Sequence, residues 1–222
     1  MIKKIMNMKR ALFFSIFTLA SISTHVLAEG LYMTIGGGAS NLSDFKYAQD
    51  GVHEGTIDIN SGYSAELGVG YNFGNDIRTE ITYSESWGSD VERDTYSNGR
   101  TVNADVYGQR VWIKTKSILA TIYKDFSLGS KFTPYIGAGI GSANVDVDGG
   151  LYFAPKGVDV DKSSFIYQLK LGGSYSVSKK ADIFTELIYR GINDLDFGYP
   201  DTHSQAKNLS TTNVHAGIRY KF

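Results

Sequence analysis

Cysteine is absent from this sequence. Disulfides, thiolate metal sites and the acylated cysteine of a lipoprotein are thereby excluded, so stability must come from the fold alone. Charge of one sign is scarce as well, with 22 basic residues against 23 acidic ones and a formal net of −1. So slight an imbalance gives no reason to expect a nucleic-acid partner. Beyond the N-terminal segment, no stretch offers the ~20 consecutive apolar residues that a spanning helix needs. A membrane-crossing chain of this kind must cross with strands. Histidine is sparse, and no protease or lipase motif stands out, so neither a catalytic residue nor a cofactor is expected.

The N-terminus supplies a compartment. Lys3, Lys4, Lys9 and Arg10 precede an apolar run from Ala11 to about Ala20, then a polar stretch to His25, then Val26-Leu27-Ala28. This is the plan of a secretory signal peptide, expected to be removed after Ala28 (residues 1–28). Removal takes away four basic residues and no acidic one, leaving 18 against 23, a net of −5. The remaining 29–222 fit one domain.

What the mature chain does contain is repeated alternation at a period of two. The last stretch shows it best: Thr212, Val214, Ala216, Ile218, Tyr220 and Phe222 form one row, and Asn213, His215, Gly217, Arg219 and Lys221 the other. Strand periodicity with a terminal aromatic on the apolar row marks a closing transmembrane strand, and Tyr220 and Phe222 serve as its assembly signal. The same reading gives strands over 31–41, 62–73, from 77 onward, 112–124, 132–142, 164–176 and 181–191. In the fourth, Ile118, Ala120 and Ile122 compete with Leu119 and Tyr123, so a bulge is expected there and its facing stays open. Linkers alternate long and short: 41–61, 74–76, 88–111, 125–131, 143–163, 177–180 and 192–208. Short turns belong to the periplasmic side of such barrels and long loops to the outside. The expected fold is all-β: an eight-stranded antiparallel transmembrane β-barrel with both termini periplasmic and four long external loops.

Three motifs carry a family likeness: Leu67-Gly68-Val69-Gly70-Tyr71, Pro134 through Gly141, and Ala216-Gly217-Ile218-Arg219-Tyr220-Lys221-Phe222. With them the chain resembles the outer-membrane β-barrel domain family that includes outer membrane protein X, the opacity adhesins and the barrel of outer membrane protein A. The resemblance implies a bacterial outer-membrane protein, with outer-membrane lipid and the barrel assembly machinery as partners. It is specific for fold and not for function. No periplasmic cell-wall-binding domain is expected after the last strand.

Eight strands enclose a lumen that side chains can fill, which argues against an open aqueous channel. The inward rows place Glu66, Glu80 and Glu186 against Arg78, Lys170, Arg190 and Arg219, an expected lumen ion-pair network that His215 would join. Asp146, Asp148, Asp159 and Asp161 lack the third ligand and terminal glutamate of a calcium loop, so no metal is assigned. Val145 and Val147 paired with Val158 and Val160 explain that stretch more simply. His203-Ser204 is expected in a loop next to Pro200 and Asp201. A catalytic pair needs a base within reach of the nucleophile, and adjacent strand residues point opposite ways, so no catalysis is assigned.

The four long loops hold 15 acidic and seven basic residues. They also carry Tyr47, Tyr96, Tyr107, Tyr152, Phe153 and Tyr199, aromatics of the kind that suit protein recognition. Acidic loops disfavour a polyanionic partner. The leading expectation is a cell-surface binding protein, an adhesin or host-interaction protein with a host or other surface protein as partner. A small-solute or ion pore of the porin kind and a purely structural barrel are the alternatives. In the second loop, Asn98-Gly99 looks like a type I′ hairpin apex. Asp94 to Ser97 should then pair with Arg100 to Val102, strands three and four should run past the membrane as one ribbon, and the ribbon's free edge would suit strand addition.

Overall fold

The structure is a computed structural model that describes residues 30–42, 45–49, 53–59, 62–89, 91–96, 101–103, 112–148, 163–192, 195–199, 202–207 and 209–222. The expected signal segment, 1–28, lies outside the described residues. Eight strands close a barrel: β1 (Leu31–Leu42), β4 (Gly62–Asn72), β5 (Ile77–Ser89), β8 (Trp112–Asp125), β9 (Phe132–Asp148), β10 (Ser164–Ser176), β11 (Ala181–Ile192) and β14 (Leu209–Lys221). Each pairs antiparallel with its neighbours in the order β1, β14, β11, β10, β9, β8, β5, β4, and β4 returns to β1.

Alternation decides which side chain goes where. In β11 the burial string alternates almost without a break from Asp182 to Arg190, because successive Cβ atoms point to opposite faces. Ile35, Leu171 and Ile136 face outward at 62%, 60% and 48% exposure, as do their counterparts on every barrel strand. Such an apolar belt is a liability in water and is matched by hydrocarbon. Aromatics mark its rims. At the periplasmic end Tyr71 packs edge-on against Phe73 and Tyr220 against Phe222, with ring centroids 5.0 and 5.3 Å apart.

The turn between β4 and β5 is tight because Gly74, Asn75 and Asp76 all take positive φ (74°, 50° and 60°), a region that these residue types tolerate best. Phe73 N donates to Ile77 O at 2.9 Å and Asn72 Oδ1 accepts from Gly74 N at 2.9 Å, which uses up the local polar groups.

Two expectations about the wall need correction. β8 carries no bulge: its register runs unbroken from Ile77↔Lys124 to Ser89↔Trp112 and, on the other side, from Asp125↔Tyr135 to Trp112↔Asp148. With no slip, Leu119, Thr121 and Tyr123 are inward and Ile118, Ala120 and Ile122 outward. β9 is longer than expected, because its residues 144–148 pair with β8 beyond the first residue of β10. On the β8 side Val145 opposes Thr115 and Val147 opposes Ile113; the expected partners Val158 and Val160 lie outside the described residues.

The largest correction concerns the external connections. Six further strands lie there: β2 (Phe45–Gln49), β3 (His53–Ile59), β6 (Val91–Tyr96), β7 (Thr101–Asn103), β12 (Leu195–Tyr199) and β13 (Thr202–Lys207). They form one sheet, ordered β12, β13, β2, β3, β6, β7, and so join the first, second and fourth external connections. The β6–β7 hairpin belongs to this sheet and does not prolong the barrel ribbon. Asp94 pairs with Val102 and Thr95 with Thr101, one residue away from the register that a two-residue Asn98-Gly99 turn would give. The other side of β6 is covered by β3, so among the described strands β7 is the edge on that flank.

Candidate functional site

Two places concentrate chemistry: the lumen, where charges are buried, and the external sheet. In the lumen most strands contribute two to four buried polar side chains from their inward row, and the closed wall stacks them in layers.

The layer nearest the periplasm centres on Arg78 of β5, 1% exposed. Its Nε donates to both carboxylate oxygens of Asp125 at 3.0 and 3.2 Å, and its Nη1 donates to the Tyr32 hydroxyl at 3.2 Å. The guanidinium lies 3.6 Å from the ring centroid of Tyr123 and 4.7 Å from that of Tyr135. A flat, weakly hydrated cation suits such a stack, where an ammonium would not. Tyr123 donates to Glu80 Oε1 at 3.3 Å. Beside this group Asp182 takes Lys221 at 2.7 Å and Arg219 at 3.5 Å. The rings fit because glycine faces them: a Cβ on Gly70 would meet Tyr32 Cζ at 2.2 Å, and one on Gly137 would meet Tyr123 Cδ1 at 2.6 Å.

The central layer is held by Lys170. Its ammonium lies 2.7 Å from Glu66 Oε2 and 2.9 Å from Glu186 Oε1, and Tyr135 donates to the other Glu186 oxygen at 2.9 Å. Arg190 donates through Nη2 to Glu66, through Nε to Gln168 at 3.1 Å and through Nη1 to Ser84 at 3.0 Å. Buried charges are tolerated only with partners of this kind. His215 places Nε2 2.5 Å from Ser64 Oγ and Nδ1 3.7 Å from Glu66 Oε2.

That serine, histidine and acid stand in the order of a hydrolytic triad. However, the Nδ1 separation is too long for a hydrogen bond, and Glu66 is already committed to Lys170 and Arg190. Glu66, Glu186 and His215 also offer ligand atoms within 4.8 Å of one another. Lys170 sits on both carboxylates and engages those donors. Toward the outside, Leu119, Val145, Ile166 and Ile188 are buried on the β8 to β11 side of the lumen.

All seven residues named from sequence, Glu66, Arg78, Glu80, Lys170, Glu186, Arg190 and Arg219, are inward and buried. They do not form one cluster, since Arg78 and Glu80 sit with the tyrosines while Glu66, Lys170, Glu186 and Arg190 interlock above. Sequence reasoning missed Asp125, Asp182 and the three tyrosines. Parity would have found Asp182, four residues before Glu186 on the same face. Asp125 and Tyr123 were hidden by the unphased fourth strand.

A cavity of about 510 Å³ opens at the periplasmic end, lined by Tyr32, Arg78, Asp125, Asp182, Arg219 and Lys221 among others. Further in, between the two charge layers, the described residues line a small pocket of about 10 Å³. That is roughly the room of one water molecule.

In the external sheet Tyr47 lies on β2, Tyr96 on β6 and Tyr199 on β12; Tyr107, Tyr152 and Phe153 lie outside the described residues. His203 and Ser204 belong to β13 and not to a loop, paired across to Gly198 and Phe197.

Residues 12–222 match the family model described as "Outer membrane protein beta-barrel domain". The chain belongs to that family. It is therefore a protein of the bacterial outer membrane. A Rickettsia conorii protein described as a candidate adhesin is 29% identical over 188 residues, covering 74% of this chain and 69% of its own length. A second, from Rickettsia canadensis, is 27% identical over 186 residues, with 78% and 77% covered. Among solved structures, Neisserial surface protein A is similar at a TM-score of 0.55 and 22% identity, covering 87% of this chain and 97% of that one. OprG from Pseudomonas aeruginosa gives 0.53 and 16%, with 88% and 97% covered. Both structural likenesses establish the fold of this family member; the two rickettsial relatives carry the adhesin description.

Proposed function

We propose that this outer-membrane barrel is an adhesin whose binding surface is the external six-stranded sheet, with a protein on another cell as partner and no catalytic step. The observation that carries the reading is the junction of three external connections into one sheet. β13 pairs with β2, and β3 pairs with β6, so strands from distant parts of the chain are held in one surface above the barrel wall. Strands set on a rigid scaffold are suited to recognition in a way that independent loops are not. The acidic balance of the external connections favours a partner with a basic face. Stacked charge layers in the lumen speak against conduction as the main task. The adhesin description of the two relatives points the same way.

The test is a display experiment. A non-adherent bacterium carrying the intact chain should bind host cells, and one carrying a chain with residues 45–59 and 195–207 replaced by short turns should not. Surface level and the heat-shifted gel mobility of a folded barrel should match in the two strains. Adhesion that survives the replacement would refute the reading.

A further inference from the structure

The outward face of β5, β8 and β9 carries a feature that the neighbouring walls lack. Glu85 accepts from the Tyr83 hydroxyl at 2.5 Å and pairs with Lys114 at 2.9 Å; Lys116 pairs with Asp146 at 2.8 Å. Lys114 also lies 5.7 Å from the centroid of the Trp87 ring. The outward positions toward the external end of the other described strands, Asn41, Tyr63, Phe165, Tyr189 and Thr212, are uncharged.

The height of this patch follows from β8 itself. Lys124 and Lys116 bracket the outward residues Ile122, Ala120 and Ile118. Eight residues at about 3.4 Å each, inclined by roughly 40°, rise about 20 Å. Lys124 pairs with Asp76 in a periplasmic turn. Lys116 therefore emerges at the opposite interface, among the headgroups of the outer leaflet. Lys114 and Trp87 lie one step above it.

We infer that this patch binds the headgroup of an outer-leaflet lipid carrying both a phosphate and an amine, the phosphate on Lys114 and Lys116, the amine on Glu85, Asp146 and the Trp87 face. The charge balance selects that class. Two acids alternate with two bases, so a purely anionic headgroup would gain the lysines and meet the carboxylates. A zwitterion replaces both partners at once. The internal pairs are easily exchanged, because their side chains are between 22% and 44% exposed and half-exposed pairs contribute little. An amine over an indole face adds a cation–π contact. The site is independent of the external sheet and of the adhesin reading.

Trp87 and Trp112 are the only tryptophans, so a Trp112→Phe chain reports from the patch alone. Refolded in maltoside micelles, it should show a saturable change in Trp87 fluorescence with a short-chain phosphoethanolamine lipid. A phosphoglycerol lipid with the same chains should need about ten times the concentration, equivalent to about 1.4 kcal/mol. Glu85→Gln and Lys114→Met face outward and leave the lumen untouched; each should erase the preference while circular dichroism stays that of a folded barrel. Lys116→Met combined with Asp146→Asn repeats the test on the second pair. Equal half-saturation by the two lipids, or a preference that survives all of these substitutions, overturns the inference.

Discussion

The barrel and the external sheet are both antiparallel, yet different forces set them. Barrel strands run 11 to 17 residues and close on themselves, so the wall has no edge strand. External strands run three to seven residues and end in two edges, β7 and β12. In the barrel one face must be apolar because it meets lipid, and the other must neutralise its own charges because it meets nothing else. Neither demand follows from the topology of the external sheet, which stays open. Its pairing is brought about by the barrel, which delivers three chain segments side by side. Stability therefore resides in the wall and lumen, and variation is tolerated above them.

The sharpest way to break the comparison is to damage the lumen. Lys170→Met removes the one ammonium between Glu66 and Glu186 and leaves two buried carboxylates facing each other. Breaking a buried pair in this way costs about 3–5 kcal/mol. Urea unfolding should register that loss in full, while adhesion per folded molecule stays unchanged. An unaltered midpoint would mean that the central layer does not support the barrel.

Legibility in the sequence follows the same division. Every barrel strand could be phased where one row was apolar without a competitor, as in β4, β10 and β14. β8 resisted because Leu119 and Tyr123 are as apolar as Ile118 and Ile122. Only the continuous register with β5 and β9 settles the choice, and that is a long-range fact. Glu66 and Lys170 were both readable as inward, but their contact spans 104 residues and depends on how the barrel closes. The external strands left no period-two signal, and their pairing joins segments far apart in the chain. Asn98-Gly99 did mark a hairpin there. It could not say that β6 would turn to β3.

A smaller loss is expected where aromatic rings fill the lumen. Gly137→Val would drive a Cβ into Tyr123, whose ring in turn stacks on Arg78. Overpacking of this sort costs about 1–3 kcal/mol. Gly137→Ala should fall between the two. If valine unfolds at the wild-type midpoint, the ring has room that the close approach denies.

Smaller still is a cut in the external sheet. Thr95 on β6 is paired with Thr56 on one side and Thr101 on the other. Thr95→Pro removes a ladder donor, a loss of about 0.5–1.5 kcal/mol confined to that sheet. Amide exchange should quicken across β3, β6 and β7 while the urea midpoint of the barrel holds. A fall in the barrel midpoint as large as that of Gly137→Val would show that the two regions unfold as one.

The least effect is expected at the periplasmic rim, in the turn that joins β4 to β5. The Ser127 hydroxyl donates to Asp76 Oδ1 at 2.6 Å and Lys124 lies 3.4 Å from Oδ2. First that hydroxyl and then the lysine hold the Asp76 carboxyl below the usual carboxylate range. A depressed folded-state pKa stabilises at every pH above the unfolded value of about 3.9, and the contribution is lost as pH falls through the lowered one. Stability should therefore decline on acidification below about pH 4, with Asp76 supplying part of the slope. Asp76→Asn removes that part, so its urea midpoint should sit slightly below wild type at pH 7 and converge with it in acid. The gap stays small because the side chain is open to water and the pair is screened. Parallel midpoints from pH 7 down to pH 3 would assign the acid limb to other carboxylates and leave this turn held by its backbone alone.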